Sequence, residues 1–544
     1  MAATPEPGAD AATGMFARVA RHLRPSHEHS AFSATVLLAG AVALSRVIGY
    51  LRDAYIAWAF GAGAITDPYV AAFTLPDFVN YLLAGGTASI TFVSIFTRYA
   101  SQGREREAEQ TFSVVISVMS VVLALMVLLA EAFTPQFTAW WFPAFTPAQV
   151  DLCVRLTRIL LPGQLFFVIG GVVSAVLLSR RLFLLPTLAP LVYNLGIILG
   201  GVLLGQHLGI ASLAWGALAG SFLGPFLIHA IAVSRTGIRF RPSFAVRDPG
   251  FLEWLWLSVP LMLGVSLVAA DDWIMRHFAS GVGDITRLNY SKRLLAVPVA
   301  VLGQATGQAA LPFFARLFGE KRRSEFAATV SGAVFRVAAV SFLLSSWIVA
   351  AALPATDLAF RRGQFHFSDS RETAVLLLWF SISLVFWSVQ GLYARAFYAA
   401  GNTLTPMLAG TLITVASLPL YWTLERSLGV VGLAIASDVG IAAHTLVLAA
   451  LLQRNQLVPA SAMPWGELGK ALGTAVLAGA AAVAVGRTVA VTGSRVADLT
   501  SIALITVTWA AAVAAGLWLT RSQLPATLRR RQGKGAGAAP ATNG

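Results

Sequence analysis

Three arginine residues lie within long apolar stretches of the sequence, where a charged side chain is unfavourable. Arg46 and Arg52 lie six residues apart in one stretch, and Arg293 lies in another. Burying a charge in a membrane costs from about 3 to more than about 10 kcal/mol, so such residues usually face water, a ligand or an opposite charge. A guanidinium group holds a phosphate through two parallel hydrogen bonds. Because few acidic residues lie nearby, these arginines favour a cavity that selects an anionic substrate.

Four acidic residues in the first, second and seventh apolar stretches are candidate gating residues or charge partners: Asp53, Asp67, Asp271 and Asp272. The alternative to a binding site is a set of buried salt bridges that hold helices together. Arg52 could pair with Asp53, and Arg293 could pair with Asp271 or Asp272. Asp67 could complement the dipole of a helix N-terminus, or it could latch the outer side of a cavity. The sequence leaves these alternatives open.

The composition predicts an integral membrane protein. Of 544 residues, 57% are hydrophobic and 12% are charged, and the mean hydropathy is +0.72. Soluble domains carry about 25% charged residues, so this composition excludes a soluble enzyme, a disordered scaffold and a disulfide-stapled secreted domain. The single cysteine, Cys153, offers no intramolecular disulfide. The sequence contains no P-loop and no metal-ligand spacing of histidines, so we expect no enzymatic activity, no cofactor and no metal site.

Fourteen apolar stretches reach the roughly 20 residues that a membrane-spanning helix needs. They cover approximately residues 34–59, 66–97, 110–131, 152–178, 184–206, 209–233, 251–279, 285–315, 326–352, 372–399, 404–425, 429–452, 465–487 and 497–520. Pro76 and Pro298 predict bends in the second and eighth spans. With the N-terminus inside, 24 of the 39 basic residues fall on the cytoplasmic side, 10 fall opposite and five lie within spans. This bias indicates two cytoplasmic termini rather than nucleic-acid binding.

Matches at an offset of 220 residues indicate an internal repeat. Leu184, Pro186, Gly209 and Gly220 match Leu404, Pro406, Gly429 and Gly440. Six spans separate the copies, which predicts two six-helix bundles related by an axis along the membrane normal, as in transporters with parallel repeats. The predicted divisions are a cytoplasmic disordered tail at 1–33, bundles at 34–235 and 236–455, two appended helices at 456–522, and a second cytoplasmic disordered tail at 523–544. Chance identity in an Ala-, Gly- and Leu-rich background is the alternative.

The motifs around the arginines resemble those of the MurJ/MviN family. They lie at 45–53, 60–63, 66–67, 73–76 and 288–294, followed by Pro298 and 311–312, within a resemblance that extends over about 34–520. The resemblance implies a lipid II flippase of the multidrug/oligosaccharidyl-lipid/polysaccharide exporter superfamily, in the bacterial cytoplasmic membrane. Such a protein moves the undecaprenyl-diphosphate-linked peptidoglycan precursor from the inner to the outer leaflet. The family's essential arginines match Arg46, Arg52 and Arg293, and Asp53 and Asp67 match acidic positions.

The resemblance also implies alternating access by a monomer, with the lipid tail in a groove formed by the last two helices. The sequence departs from the family at Asn80 and Gly85, where a basic residue and a glutamate are frequent, and at Lys292, often an acidic or amide position. Residues 404–425 lack the acidic and amide side chains of the sodium site found in some members, so we do not expect sodium coupling. Alternatives on the same fold are export of another polyprenyl-linked saccharide or of drugs, and a non-transporting scaffold is a third.

Overall fold

The computed structural model describes residues 31–83, 87–180, 182, 184–262, 267–488 and 494–529, and all regular secondary structure in these ranges is helical. Gly85 and most of both predicted tails lie outside the described residues. The helices up to residue 262 are α1 (Ala31–Phe60), α2 (Thr66–Ala71), α3 (Thr74–Leu83), α4 (Thr87–Ser101), α5 (Glu105–Trp141), α6 (Pro147–Leu160), α7 (Gly163–Ser179), α8 (Leu184–Leu208), α9 (Ala211–Ser221), α10 (His229–Ser234) and α11 (Pro249–Met262).

The remaining helices follow after residue 266. They are α12 (Leu267–Val282), α13 (Ile285–Val299), α14 (Thr306–Gly319), α15 (Arg323–Phe360), α16 (Phe367–Ile382), α17 (Leu384–Ala399), α18 (Leu404–Leu428), α19 (Val430–Arg454), α20 (Trp465–Gly486), α21 (Arg495–Leu519) and α22 (Leu524–Arg529). Short π-helical segments occur at Phe222–Ile228 and Ala300–Ala305. The second of them begins two residues after Pro298, where proline removes a backbone donor and disturbs the helical ladder.

The described residues contain ten helices that are long and apolar enough to cross a membrane, or eleven if α16 and α17, which meet at 43°, form one span. The other three predicted spans fall on α1, on α2 to α4, and on α11 with α12. Each of these regions includes residues whose backbone or side chains lie outside the described part. An all-helical, polytopic membrane architecture is confirmed, whereas the total of fourteen spans stays a prediction.

Contacts group the chain into two compact units. The first contains the described residues of Met1–Arg52, Leu75–Ala132 and Arg158–Leu263, and the second contains those of Asp53–Thr74, Phe133–Thr157 and Gly264–Gly544. These units are defined by contacts, whereas the predicted bundles at 34–235 and 236–455 are defined by sequence repetition. The bundle boundaries therefore stay a prediction.

The first unit is built around side chains from α4, α5, α7, α10 and α11. Phe92, Phe112, Val172 and Trp254 are among its buried core residues. Buried polar pairs accompany this apolar core, because a polar group at membrane depth needs a hydrogen-bond partner from the protein. Thr91 and Ser258 are joined by a hydrogen bond of 2.7 Å between their hydroxyl groups. Asn80 Nδ2 donates to Gln164 Oε1 at 2.8 Å, so this departure from the family pattern ties α3 to α7.

The second unit has its core between α14, α15, α17, α18 and α19. Phe314, Phe326, Leu392, Phe397 and Leu448 are buried there. Helices α20 and α21 both pack against α15. This arrangement joins the last two predicted spans to the long central helix of the unit.

Helix bounds follow the sequence repeat. Helix α8, Leu184–Leu208, and helix α18, Leu404–Leu428, have the same length and lie 220 residues apart. Each is followed by a glycine with positive φ, +54° at Gly209 and +59° at Gly429, a conformation that side chains with a Cβ disfavour. The matched glycines therefore end matched helices in each unit.

Helices α8 and α9 approach one another closely within the first unit. A Cβ atom added at Gly200 would lie 2.6 Å from both the Ser212 carbonyl oxygen and the Gly216 Cα, and one added at Gly196 would lie 2.7 Å from the Gly220 Cα. Small residues at a four-residue spacing allow such backbone contact between membrane helices. The packing of this helix pair therefore depends on glycine.

We expect Gly200→Ala to lower the free energy of unfolding by about 1–3 kcal/mol, because the added methyl group forces the two backbones apart. The measurement is thermal unfolding of the purified protein in detergent. Gly205→Ala on the same helix is the matched control, since its added Cβ would meet only Ser212 Oγ, at 3.9 Å. Equal stability of the two variants would contradict the proposed packing constraint.

Candidate functional site

Arg52 is oriented by a neutral partner in the first unit. Its Nη1 atom donates a hydrogen bond of 2.8 Å to Asn194 Oδ1 on α8, and Asn194 Nδ2 donates to the Pro190 carbonyl oxygen at 2.9 Å. The second bond fixes the amide so that its oxygen faces the guanidinium group. Arg46 lies on the same helix, six residues earlier, and its side chain is exposed.

Arg293 lies in the second unit beside Asp53. Arg293 Nε is 3.6 Å from Asp53 Oδ2, and 53% of the Arg293 side chain is exposed, against 6% for Asp53. This ion pair is long, and the exposed guanidinium group keeps most of its surface accessible. Within the described ranges, Arg293 forms no salt bridge with Asp271 or Asp272, the alternative that the sequence left open.

Lys292, the neighbour of Arg293, is neutralised instead. Its ammonium group is 2.7 Å from Asp271 Oδ2 and 2.5 Å from Asp272 Oδ1 on α12. Tyr421 on α18 and Ser437 on α19 donate further hydrogen bonds to the buried Asp271 carboxylate, the latter at 3.0 Å. Lys292 and Asp271 therefore join four helices, α12, α13, α18 and α19, through a carboxylate that is fully hydrogen-bonded. This is the condition for a stable buried ion pair.

Asp67 forms an interaction with the first turn of α13. Its side chain is buried at 1% exposure, and its Oδ1 atom accepts hydrogen bonds from the Thr286 backbone N at 2.8 Å and from Thr286 Oγ1 at 2.6 Å. The first turn of a helix carries unpaired N–H groups and a partial positive charge. Asp67 thus caps a helix that begins 218 residues further along the chain, and it also ties α2 to α13.

The two faces of α13 have different partners. Thr286 and Arg293 are seven residues apart, about two helical turns, so they share a face. That face meets Asp67 and Asp53, both from the segment Asp53–Thr74. Lys292 projects about 100° away, toward α12. The helix therefore positions Arg293 through contacts on both sides.

A small, partly open cavity of about 30 Å³ lies beside Lys292 within the second unit. Asp272, Arg276 and Asn289 supply its other polar side chains, and apolar residues including Val70 and Leu288 complete the lining. Arg276 Nη1 donates to Thr74 Oγ1 at 3.3 Å. No group of three or more metal-ligating side chains occurs among the residues that the structure describes. The polar lining suits water or a polar part of a ligand.

Sequence reasoning alone did not find the partners Asn194, Thr286, Tyr421 and Ser437. They are common residue types in apolar helices, and each contacts a residue more than 140 positions away. No local pattern singles them out. Only the packing of the helices brings them to the charged side chains.

Comparison with known proteins identifies the family. The sequence model of the family described as "Lipid II flippase MurJ" matches residues 56–502, which is most of the chain. The chain belongs to the MurJ family. The Burkholderia cenocepacia protein named lipid II flippase MurJ is 28% identical over 77% of this chain and 83% of its own length. The Vibrio cholerae probable lipid II flippase MurJ is 28% identical over 74% of this chain and 79% of its own length.

Solved structures show the fold of this MurJ-family chain. A structure of lipid II flippase MurJ in an inward closed conformation superposes with a TM-score of 0.74 at 19% identity, over 89% of this chain and 99% of that one. An inward-facing multidrug resistance MATE family transporter of the MOP superfamily gives a TM-score of 0.61 at 15% identity, over 76% of this chain and 94% of that one. These likenesses confirm the predicted transporter fold class.

We expect Lys292→Met to destabilise this MurJ-family protein by about 3–5 kcal/mol, because it leaves the buried Asp271 carboxylate without its cation. The double variant Lys292→Met with Asp271→Asn should regain most of that loss, since the buried carboxylate is then a neutral amide and the only carboxylate that loses this cation is the exposed Asp272. Thermal unfolding in detergent measures both. If the double variant is no more stable than the single one, the ion pair is not what holds α12, α13, α18 and α19 together.

Proposed function

We propose that the chain is a lipid II flippase that moves the undecaprenyl-diphosphate-linked peptidoglycan precursor from the inner to the outer leaflet of the bacterial cytoplasmic membrane. The MurJ family match carries this proposal. The exposure of Arg293 supports it, because 53% of this cationic side chain remains accessible to an anionic ligand. A diphosphate is the part of such a substrate that needs cations at membrane depth.

In this proposal, Arg46, Arg52 and Arg293 bind the diphosphate during transport. Asp53 and Asp67 hold the segment Asp53–Thr74 against α13, and Asp271 and Asp272 withdraw Lys292 from the substrate. The substrate must also be released from the arginines. The Asp53 carboxylate lies 3.6 Å from Arg293 and competes with the diphosphate for this guanidinium group. The acidic residues therefore act as gating or charge partners, and no covalent bond of the substrate is made or broken.

The polyprenyl tail would remain in the lipid phase beside α20 and α21. Helix α21 buries only Asp498, Ser501 and Ile505 among its described residues, so most of its surface is free to contact hydrocarbon. A long apolar tail has no need to cross a polar cavity, because hydrocarbon already solvates it. We propose that the protein works as a monomer with both termini in the cytoplasm, without a cofactor or a metal ion.

A drug exporter on the same fold is less consistent with the charges. An exporter of cationic compounds would need carboxylates at the substrate, but Asp53, Asp67 and Asp271 are all engaged in the described part of the chain. The cationic surplus favours an anionic substrate over a cationic one. Lipid II, named in the matched relatives, carries such an anionic group.

We expect Arg293→Ala to abolish support of cell-wall synthesis, because loss of a charged, bidentate contact removes about 1.5–3 kcal/mol of binding, which is at least about tenfold in affinity. The measurement is replacement of the native protein in cells, followed by an assay of which leaflet holds lipid II. Arg293→Lys keeps the ion pair with Asp53 but loses the planar fork, so we expect intermediate activity. Arg155→Ala, at an exposed position of α6, is the matched control. Normal flipping by Arg293→Ala would rule out this residue as a substrate contact.

Membrane potential should reset the empty, positively charged carrier toward the inside. Each elementary charge that crosses the field contributes about 2.3 kcal/mol per 100 mV. We therefore expect that dissipating the potential in proteoliposomes slows repeated turnover while leaving substrate binding unchanged. Turnover that is independent of potential would disprove this reset step.

A further inference from the structure

Two buried carboxyl groups meet where α15 ends and α21 begins. Asp357 lies in the last turn of α15 and Asp498 in the first turn of α21, and each residue is 2% exposed. The side chains of Asp498 and Asp357 are within hydrogen-bond contact of each other. Neither residue belongs to the proposed substrate-binding set, so the pair needs a separate explanation.

One cation is present for two carboxyl groups. Arg361 Nη1 lies 3.1 Å from Asp357 Oδ2. Among the described residues, Asp357 and Arg361 are the charged side chains that interact electrostatically with the Asp498 carboxyl group. Arg487, at the end of α20, and Arg495, at the start of α21, are exposed. With both carboxyl groups ionised, this cluster would carry one uncompensated negative charge in a buried position.

Three buried oxygen atoms at this point receive no hydrogen bond from any donor in the described ranges. They are Asp357 Oδ1, Asp498 Oδ1 and the hydroxyl oxygen of Ser501, a residue that is 1% exposed. Ser501 lies one helical turn after Asp498, on the same face of α21. A buried acceptor without a donor costs about 1–3 kcal/mol, and more for a charged group. Two carboxylates and the single cation Arg361 therefore leave one positive charge to be supplied.

A proton supplies this charge and also a donor between the two carboxyl oxygens. Two like charges in contact cannot both ionise, so a pair of touching carboxyl groups normally retains one proton between them. With that proton and Arg361, the cluster is electrically neutral. The protonated oxygen also supplies the donor that the facing carboxylate lacks. We propose that Asp357 and Asp498 form a proton-binding site that attaches the first turn of α21 to α15.

The site is placed to control how firmly α21 is attached. Further polar ties between the described parts of these helices are neutral hydrogen bonds. Trp347 Nε1 donates to Thr506 Oγ1 at 2.9 Å, and Trp509 Nε1 donates to Ser346 Oγ at 3.0 Å and to the Leu343 carbonyl oxygen at 3.1 Å. These do not change with pH. Loss of the shared proton places two carboxylates in contact, and their repulsion separates the first turn of α21 from α15.

The test uses the purified full-length protein in lipid nanodiscs and does not depend on transport. The infrared absorption of protonated carboxyl groups at about pH 5 should decrease in Asp498→Asn and in Asp357→Asn, and it should be unchanged in the exposed control Asp151→Asn. In Asp498→Asn the amide can donate to Asp357 permanently. Raising the pH from about 5 to about 8 should therefore lower the melting temperature of the wild type by about 2 °C or more beyond that of Asp498→Asn.

Two results would overturn the proposal. One is an identical protonated-carboxyl absorption and an identical pH dependence in the wild type and Asp498→Asn. The other is a rise in wild-type melting temperature when sodium chloride replaces choline chloride at constant pH, absent in Asp498→Asn. That result would assign the site to a metal cation instead of a proton.

Discussion

The structure depends on how positive charges are accommodated within helices surrounded by hydrocarbon. A cation at membrane depth is stable only when a carboxylate, a polar group or water lies beside it. The chain meets this requirement differently for neighbouring residues. Lys292 is bound by two aspartates, whereas Arg293 keeps a half-exposed side chain at a longer distance from Asp53. The number and distance of the carboxylate partners therefore decide whether a cation is neutralised, as Lys292 is, or remains accessible, as Arg293 does.

Helix α13 carries both Lys292 and Arg293 and directs them to different partners. Its residues are positioned from two sides, by the segment that contains Asp53 and Asp67 and by α12, α18 and α19 through Lys292 and Asp271. The cap at Thr286 fixes the start of the helix, and the ion pair of Lys292 fixes its rotation. These contacts fix the backbone from which the Arg293 side chain projects.

Small residues and buried polar pairs hold the remaining helices together. The backbone contact between Gly200 and Gly216 in α8 and α9 is one example, and the hydrogen bond between Thr91 and Ser258 is another. Lipid tails are as apolar as leucine side chains, so burying apolar surface does not by itself drive membrane helices together. Close packing and satisfied hydrogen bonds supply the specificity. The shared proton proposed for Asp357 and Asp498 follows the same rule, since it neutralises a charge that hydrocarbon would not solvate.

The sequence by itself determined the all-helical membrane architecture, the intramembrane arginines and the family resemblance, because hydropathy and local motifs are properties of short segments. It also placed the repeated helices, whose bounds in α8 and α18 differ by the 220 residues of the sequence offset. Only the tertiary structure decided that Asp271 pairs with Lys292 and not with Arg293, that Asp67 caps α13, and that Asp498 meets Asp357. Periodicity indicates which side chains share a helix face. It does not indicate what that face meets, because the partners lie on other helices. Asp271 is 21 positions from Lys292, and Asp67 is 219 positions from Thr286.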